Sequence, residues 1–211
     1  MIVSFANKCV FVAVPRTGTH AVRTALRPHL SPSDWEQCGR FETRVCPVPQ
    51  IASIGHGHVP ARLLRAALVP GLWEEMTCFA VLRDPLERFV SAFLLLHRDQ
   101  PRDAIGALDA MKRVLADPDR MRHVLFRAQT EFVCDEQGEP MVGLLGRYEV
   151  LNADIAAIFT RMGLPAPALQ RVNAAPYPQD FAPDTELREL VEHHYAADYA
   201  LRDTRGEAVA L

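Results

Sequence analysis

Two short apolar runs, Lys8 to Val14 and Met76 to Leu82, each stop at a polar turn that opens onto an amphipathic helix. The first run is rich in Val and Phe and ends at Pro15, which reads as a buried strand. Gly18 to Leu30 follows as loop into helix, with Ala21, Val22, Ala25, Leu26 and His29 on one face. After the second run, Asp84 suits an N-cap and Pro85 the first helical position. The helix beyond carries Leu86, Phe89, Val90, Phe93 and Leu94 on one stripe. Strands alternating with helices predict an α/β fold: a single domain over residues 1–211, with a central, mainly parallel sheet flanked by helices. In such sheets ligands bind beyond the carboxyl ends of the strands. Pro15-Arg16-Thr17-Gly18-Thr19 and Arg83-Asp84-Pro85 both fall there.

The rest of the chain fills in the same pattern. Gln50 to Gly55 is expected to form a short strand and Met141 to Tyr148 another. Residues 104–133 read as two helices split near Asp117-Pro118, and Ala153–Met162 and Thr185–Tyr199 as further helices. Gly163 stops the former, and the Pro-rich stretch Pro165–Pro183 reads as an ordered loop or surface tie between them. Hydrophobic residues at 49% and charged residues at 23% exclude a disordered chain. The N-terminal apolar run Cys9–Val14 is far below the roughly 20 residues a membrane span needs. No signal-peptide order is present either, so the expected address is cytoplasmic. The scattered Cys9, Cys38, Cys46, Cys78 and Cys134 form no CxxC pair, which indicates neither a zinc site nor a disulfide framework.

Charge directs the search for a ligand. The net charge of −3 gives no pull toward nucleic acid. Residues 1–100 carry 11 Lys+Arg against 8 Asp+Glu, a net of +3, whereas residues 101–211 carry 12 against 18, a net of −6. An anionic ligand belongs with the first half.

The segment Val12-Ala13-Val14-Pro15-Arg16-Thr17-Gly18-Thr19-His20 offers an anion the N–H groups of a helix start, a glycine for close approach, two hydroxyls and a guanidinium. The Walker spacing GxxxxGK[ST] is absent. Taken with Phe79 to Phe93, the segment resembles the donor-binding motifs of sulfotransferases that use 3′-phosphoadenosine-5′-phosphosulfate (PAPS). That family carries a 5′-phosphosulfate loop near the N-terminus and a strand–loop–helix for the 3′-phosphate. Arg83, Asp84, Pro85, Arg88 and Ser91 stand at the family's spacing. The resemblance implies a P-loop-nucleotide-kinase-like sulfotransferase fold and assigns the 3′-phosphate to Arg83 and Ser91. It assigns the 5′-phosphosulfate to Arg16, Thr17, Gly18, Thr19 and His20, with Arg16 stabilising charge at sulfur. Most of the family has lysine at the position of Arg16. Tyrosylprotein sulfotransferases have arginine within a similar loop, where His20 replaces a threonine.

Between these motifs, Gly55-His56-Gly57-His58-Val59 is similar to the histidine segment of heparan sulfate 2-O-sulfotransferases. The similarity implies that His56 or His58 deprotonates the acceptor, with a titration near the ordinary histidine pKa of roughly 6.5. Glu42, 26 residues after Arg16, is a rival base, placed roughly where tyrosylprotein sulfotransferases carry a glutamate. Gly146-Arg147-Tyr148-Glu149, Asn173 and the closing helix Tyr195-Ala196-Ala197-Asp198-Tyr199 resemble the family more weakly, and Tyr195 and Asp198 read as structural. The implied activity moves a sulfuryl group from PAPS to an acceptor hydroxyl and leaves adenosine 3′,5′-bisphosphate, with no metal required. The acceptor is expected to be a carbohydrate, with peptide tyrosine and small metabolites as alternatives. Two other readings stand beside it. One is a nucleotide-dependent phosphotransferase, disfavoured by the missing Walker lysine; the other is a non-catalytic module that binds the bisphosphate. No nucleic-acid partner and no membrane span are expected.

Overall fold

The computed structural model describes residues 1–39, 46–100, 103–169 and 181–204. Among them the strands β1 (Ile2–Ser4), β2 (Cys9–Val12), β3 (Trp35–Glu36), β4 (Thr77–Leu82) and β5 (Leu144–Arg147) form one sheet in the order β3-β1-β2-β4-β5. The β2–β4 and β4–β5 pairs are parallel, while β1 runs antiparallel to both of its neighbours. Four strands therefore point one way, and the expected mainly parallel sheet holds with one reversed strand.

The helices are α1 (Thr19–Leu26), α2 (Pro49–Ala52), α3 (Ala61–Ala67), α4 (Pro85–Leu96), α5 (Ala104–Leu115), α6 (Pro118–Met121), α7 (Thr130–Val133), α8 (Leu151–Arg161), α9 (Thr185–His194) and α10 (Ala196–Thr204). Alternation along β2 and β4 sends Phe11, Phe79 and Val81 to one face, against Val22 and Leu26 of α1 and Ile155, Ile158 and Phe159 of α8. The Phe11 and Phe79 rings stack there with centroids 5.1 Å apart. Val10, Val12, Ala80 and Leu82 face the other way, onto Ile51, Leu64, Trp73, Phe132 and Leu201. Burial on both faces is why these strands read as continuous apolar runs. A third apolar cluster joins α4 to α5 and α9 through Phe89, Phe93, Met111, Val114, Leu187, Val191 and Tyr195.

Asp84 caps α4 as expected: its side chain accepts from the Glu87 N–H at 2.9 Å, with Pro85 opening the helix. The break at Asp117-Pro118 is also present, but α7 adds a third short helix beyond the two expected. Gln50–Gly55 is a correction, because Pro49–Ala52 is a helical turn and not a strand. Pro49 presets the helical φ at the first position, and the Ala52 N–H donates to the Val48 carbonyl at 2.9 Å. The helix expected over Thr185–Tyr199 divides at Tyr195, whose fully buried ring packs toward Phe89 and Arg88 of α4.

Two strands escape the sequence pattern. β1 and β3 are three and two residues long. Their connections are held by Asp34, whose carboxylate accepts from Ser4 Oγ and from the N–H groups of Phe5, Ala6 and Ser31. No helix among the described residues is long and apolar enough to cross a membrane.

Candidate active site

The loop from Ala13 to Gly18 joins β2 to α1 at the carboxyl end of the parallel strands. Its path depends on two left-handed residues, Arg16 at φ 64° and Gly18 at φ 79°. A Cβ at Gly18 would lie 2.8 Å from Leu151 Cδ2 and 3.4 Å from Tyr148 Cε2, so the leucine would have to shift, and the left-handed backbone itself favours glycine. Thr17 is fully buried, and its hydroxyl donates to the Val14 carbonyl at 3.0 Å, so its side chain tightens the loop from within. Thr19 is half-buried and His20 exposed, and α1 starts with no side-chain cap and no acidic residue in its first turn. That helix start presents N–H groups and dipole to an anion without a competing carboxylate.

The two motifs converge on Ser91. From the loop after β2, Arg16 donates to Ser91 Oγ through Nη2 at 2.8 Å and Nε at 3.1 Å. On α4, Ser91 follows Glu87 by one helical turn, and Glu87 Oε2 accepts from Arg83 Nη2 at 3.2 Å and Nε at 3.3 Å. Arg83 thus joins Ser91 and Arg16 in one polar row. Its guanidinium lies 4.2 Å from the centre of the Tyr148 ring, a cation–π contact that orients the fork. Tyr148 borders both halves of the site, since a Cβ built at Gly18 would meet its ring and the Arg83 guanidinium lies over that ring. From sequence, Tyr148 belongs to a strand segment and to a weak family resemblance, with no role at the site. The available signal was an aromatic residue at the carboxyl end of a strand parallel to β4. Arg88, also at the motif spacing, is fully buried and donates to the carbonyls of Leu125 and Arg127 at 3.1 and 2.8 Å, so it supports the fold behind the row.

The histidine segment sits against the root of the loop. His58 Nδ1 lies 2.7 Å from the Ala13 carbonyl. A carbonyl only accepts, so Nδ1 carries the proton and Nε2 keeps its lone pair. Between the rings, Gly57 is pinned: its N–H donates to the Cys38 carbonyl at 2.9 Å, and its carbonyl accepts from Arg23 Nη2 at 3.3 Å and from the Met1 ammonium. A Cβ on Gly57 would lie 2.1 Å from the Gln37 carbonyl oxygen. The ring centroids of His56 and His58 are 5.9 Å apart. Burial pushes His58 down to about 3 and also lowers His56, to which the charges of Arg127 and His123 add. Both rings are therefore shifted below the ordinary histidine value expected from sequence, His58 far below it. Glu42 and Asn173 lie outside the described residues.

A cavity of about 510 Å³ opens nearby, beyond the ends of β4 and β5, lined by Asp84, Gly146, Arg147, Tyr199 and Arg202 among others. Arg202 donates to Asp84 at 3.3 Å and to Glu149 at 3.1 Å, and Glu149 accepts from the Asp84 N–H at 2.8 Å. Arg16, Ser91, His56 and His58 do not line that cavity, so the row of polar side chains is a site apart from it.

Parallel strands that end in a basic, hydroxyl-bearing loop and a capped helix define an α/β protein with Arg16, Arg83 and Ser91 gathered at the carboxyl edge of its sheet. The model of the Sulfotransferase family matches residues 70–201, more than half of the chain, and the chain belongs to that family. That match takes in Arg83, Ser91 and Tyr148. No curated protein matches the chain. Among solved structures, the crystal structure of a sulfotransferase from Alicyclobacillus acidocaldarius is similar at 15% identity, covering 92% of this chain and 94% of that one with a TM-score of 0.39.

Proposed function

We propose that this sulfotransferase takes its sulfuryl group from PAPS and transfers it to an acceptor hydroxyl, with a carbohydrate hydroxyl as the first acceptor class to test. The observation that carries the reading is the contact of Arg16 with Ser91, one helical turn beyond the Glu87 that Arg83 holds, at the carboxyl ends of β2 and β4. Two guanidiniums, a hydroxyl and an uncapped helix start suit a ligand with two separate anionic groups. Arg83 and Ser91 hold the 3′-phosphate in this reading. Arg83 then exchanges the Glu87 carboxylate for a phosphate with more acceptor oxygens. Thr19, His20 and the Gly18 backbone hold the 5′-phosphosulfate, with Thr17 keeping the loop in shape.

Transfer forms a bond from the acceptor oxygen to sulfur and breaks the bond from sulfur to the oxygen that bridges to the 5′-phosphate. The electron pair of the broken bond stays on that bridging oxygen, where Arg16 stabilises the growing charge. Arginine does so without giving up its proton. His56 or His58 takes the acceptor proton, and the lone pair kept on His58 Nε2 suits that task. Such a reaction depends on alignment and charge more than on covalent help. The test is calorimetric titration with adenosine 3′,5′-bisphosphate, AMP and ATP. Tight binding of the bisphosphate alone supports the donor assignment, and equal affinity for AMP overturns it.

A further inference from the structure

Arg83 is fixed through its main chain as well as its side chain. The ladders of β4 end at Ala80 with β2 and at Leu82 with β5, and α4 begins only at Pro85. Arg83 stands in that gap, where neither sheet nor helix pairs its peptide groups. Gln129 fills the place of a neighbouring strand. Its Oε1 accepts from the Arg83 N–H at 2.9 Å, and its Nε2 donates to the Arg83 carbonyl at 2.9 Å. Gln129 is 1% exposed and Arg83 9%, so both peptide groups would lie buried and unpaired without the amide.

The amide is itself held rigidly. The Gln129 N–H donates to Asp198 Oδ2 at 2.8 Å, and the Thr130 N–H and Oγ1 donate to Asp198 Oδ1 at 2.9 and 3.2 Å. Just upstream, Arg88 of α4 takes the carbonyls of Leu125 and Arg127, and the Tyr195 hydroxyl takes that of Phe126. Arg88, Tyr195 and Asp198 are at most 1% exposed, and Arg88 and Asp198 lie 3.8 Å apart. Three buried side chains from α4 and the closing helices therefore grip residues 125–130. Gln129 is the point at which that grip reaches the donor row.

We infer that Gln129 is a positioning residue for donor recognition: its amide holds the Arg83 peptide so that the guanidinium meets the 3′-phosphate. The inference rests on Arg83 reading that phosphate. An amide is needed because it donates and accepts at once. An ionised carboxylate accepts only and would face the Arg83 carbonyl with like charge, whereas a protonated carboxyl restores both bonds.

The test measures the ratio of affinities for adenosine 3′,5′-bisphosphate and AMP, with folding followed by circular dichroism. Gln129→Met, close in size and without hydrogen bonds, is expected to cut the ratio about tenfold while AMP affinity stays within about twofold. Gln129→Glu is expected to show a reduced ratio at about pH 7.5 and to recover toward wild type at about pH 5.5, as the buried carboxyl takes a proton. Loss of packing alone would not return with acid, and this second variant carries the test if the first fails to fold. An unchanged ratio in folded Gln129→Met overturns the role of Gln129, as does a ratio in Gln129→Glu that ignores pH relative to wild type from about pH 5.5 to about pH 9.5, above the range of a buried carboxyl. A wild-type protein that does not discriminate overturns the donor reading itself, which separates the two failures.

Discussion

Arg16 and Ser91, 75 residues apart in the chain, meet where Ser91 Oγ accepts from Arg16 Nη2 at 2.8 Å and Nε at 3.1 Å. The contact ties the loop after β2 to the helix after β4 and so links the two halves of the proposed donor site. Residues in direct contact couple by about 0.5–3 kcal/mol, and bisphosphate affinities of Arg16→Ala, Ser91→Ala and the double variant should therefore be non-additive. Additive losses would mean that each residue meets the ligand independently of the other.

Arg16 should matter more to the reaction than to binding. Its proposed partner, the bridging oxygen, gains charge mainly in the transition state, so Arg16→Ala should lower the single-turnover rate far more than bisphosphate affinity. Arg16→Lys keeps the charge and should retain substantial activity. An unchanged single-turnover rate in Arg16→Ala would reduce Arg16 to a loop residue.

Arg83→Ala should cost about 2–4 kcal/mol in bisphosphate affinity and much less in AMP affinity, because a charge-assisted bidentate contact is lost only with the former. Glu87 gives a change of opposite sign. Its carboxylate sits on Arg83 and would repel a bound phosphate, so Glu87→Gln should bind the bisphosphate a few-fold more tightly, on the modest scale of exposed pairs. Weaker binding in Glu87→Gln would show that this carboxylate orients Arg83 and does not compete with the ligand.

Gly18→Ala combines a left-handed backbone with a contact of 2.8 Å to Leu151 Cδ2. A left-handed residue with a Cβ costs about 1–2 kcal/mol before any clash. Chemical denaturation should show a loss of at least that size, with weaker bisphosphate binding as the loop shifts off α8. Unchanged stability and affinity would show that the loop adapts freely at this point.

What the sequence disclosed was what local chemistry carries. The apolar runs into β2 and β4 and the Asp84-Pro85 helix start are written in adjacent residues, and the structure keeps them. Gln50–Gly55 misled because its apolar residues are few and Pro49, just outside the stretch, favours the helical turn. β1 and β3 are too short for any periodicity, and what joins them is the Asp34 carboxylate. In the candidate site, Arg16 and Gly18 were legible as residues that anion-binding turns use, whereas Arg83 and Ser91 were singled out by the resemblance of their segment to the family's second motif. Tyr148 and Gln129 were not, since each acts on Arg83 from a distant part of the chain through shape or through a backbone contact. The depressed histidines were hidden for the same reason, because burial is a property of the packed fold.

The pH dependence follows from those histidines. His58 holds a folded pKa of about 3 against an unfolded value near 6.5, so the folded protein excludes a proton that the unfolded chain binds. Stability should therefore be full above about pH 6.5 and fall as the pH drops toward the folded value, by at most about 1.4 kcal/mol per pH unit from this group. Denaturation of wild type and His58→Gln at several pH values measures this, and a variant with the same acid slope would remove His58 as its source. The rate follows the same logic. A base must be unprotonated to act, and burial lowers the pKa of both rings, that of His58 to about 3. The limb that rises with pH should thus lie below the near-neutral position expected from sequence. A carboxylate at Glu42 would also give a low limb, so the profile alone does not separate the candidates. Single variants do. If a histidine of the His56-Gly57-His58 segment is the base, its replacement by alanine should cost about 100-fold or more in rate and leave bisphosphate affinity within about twofold. Near wild-type rates for both histidine variants, with Glu42→Ala inactive, would assign the proton to Glu42 and turn the acceptor search toward tyrosine. Loss of bisphosphate binding in the histidine variants would instead make the segment a support for the loop, held through the Ala13 carbonyl.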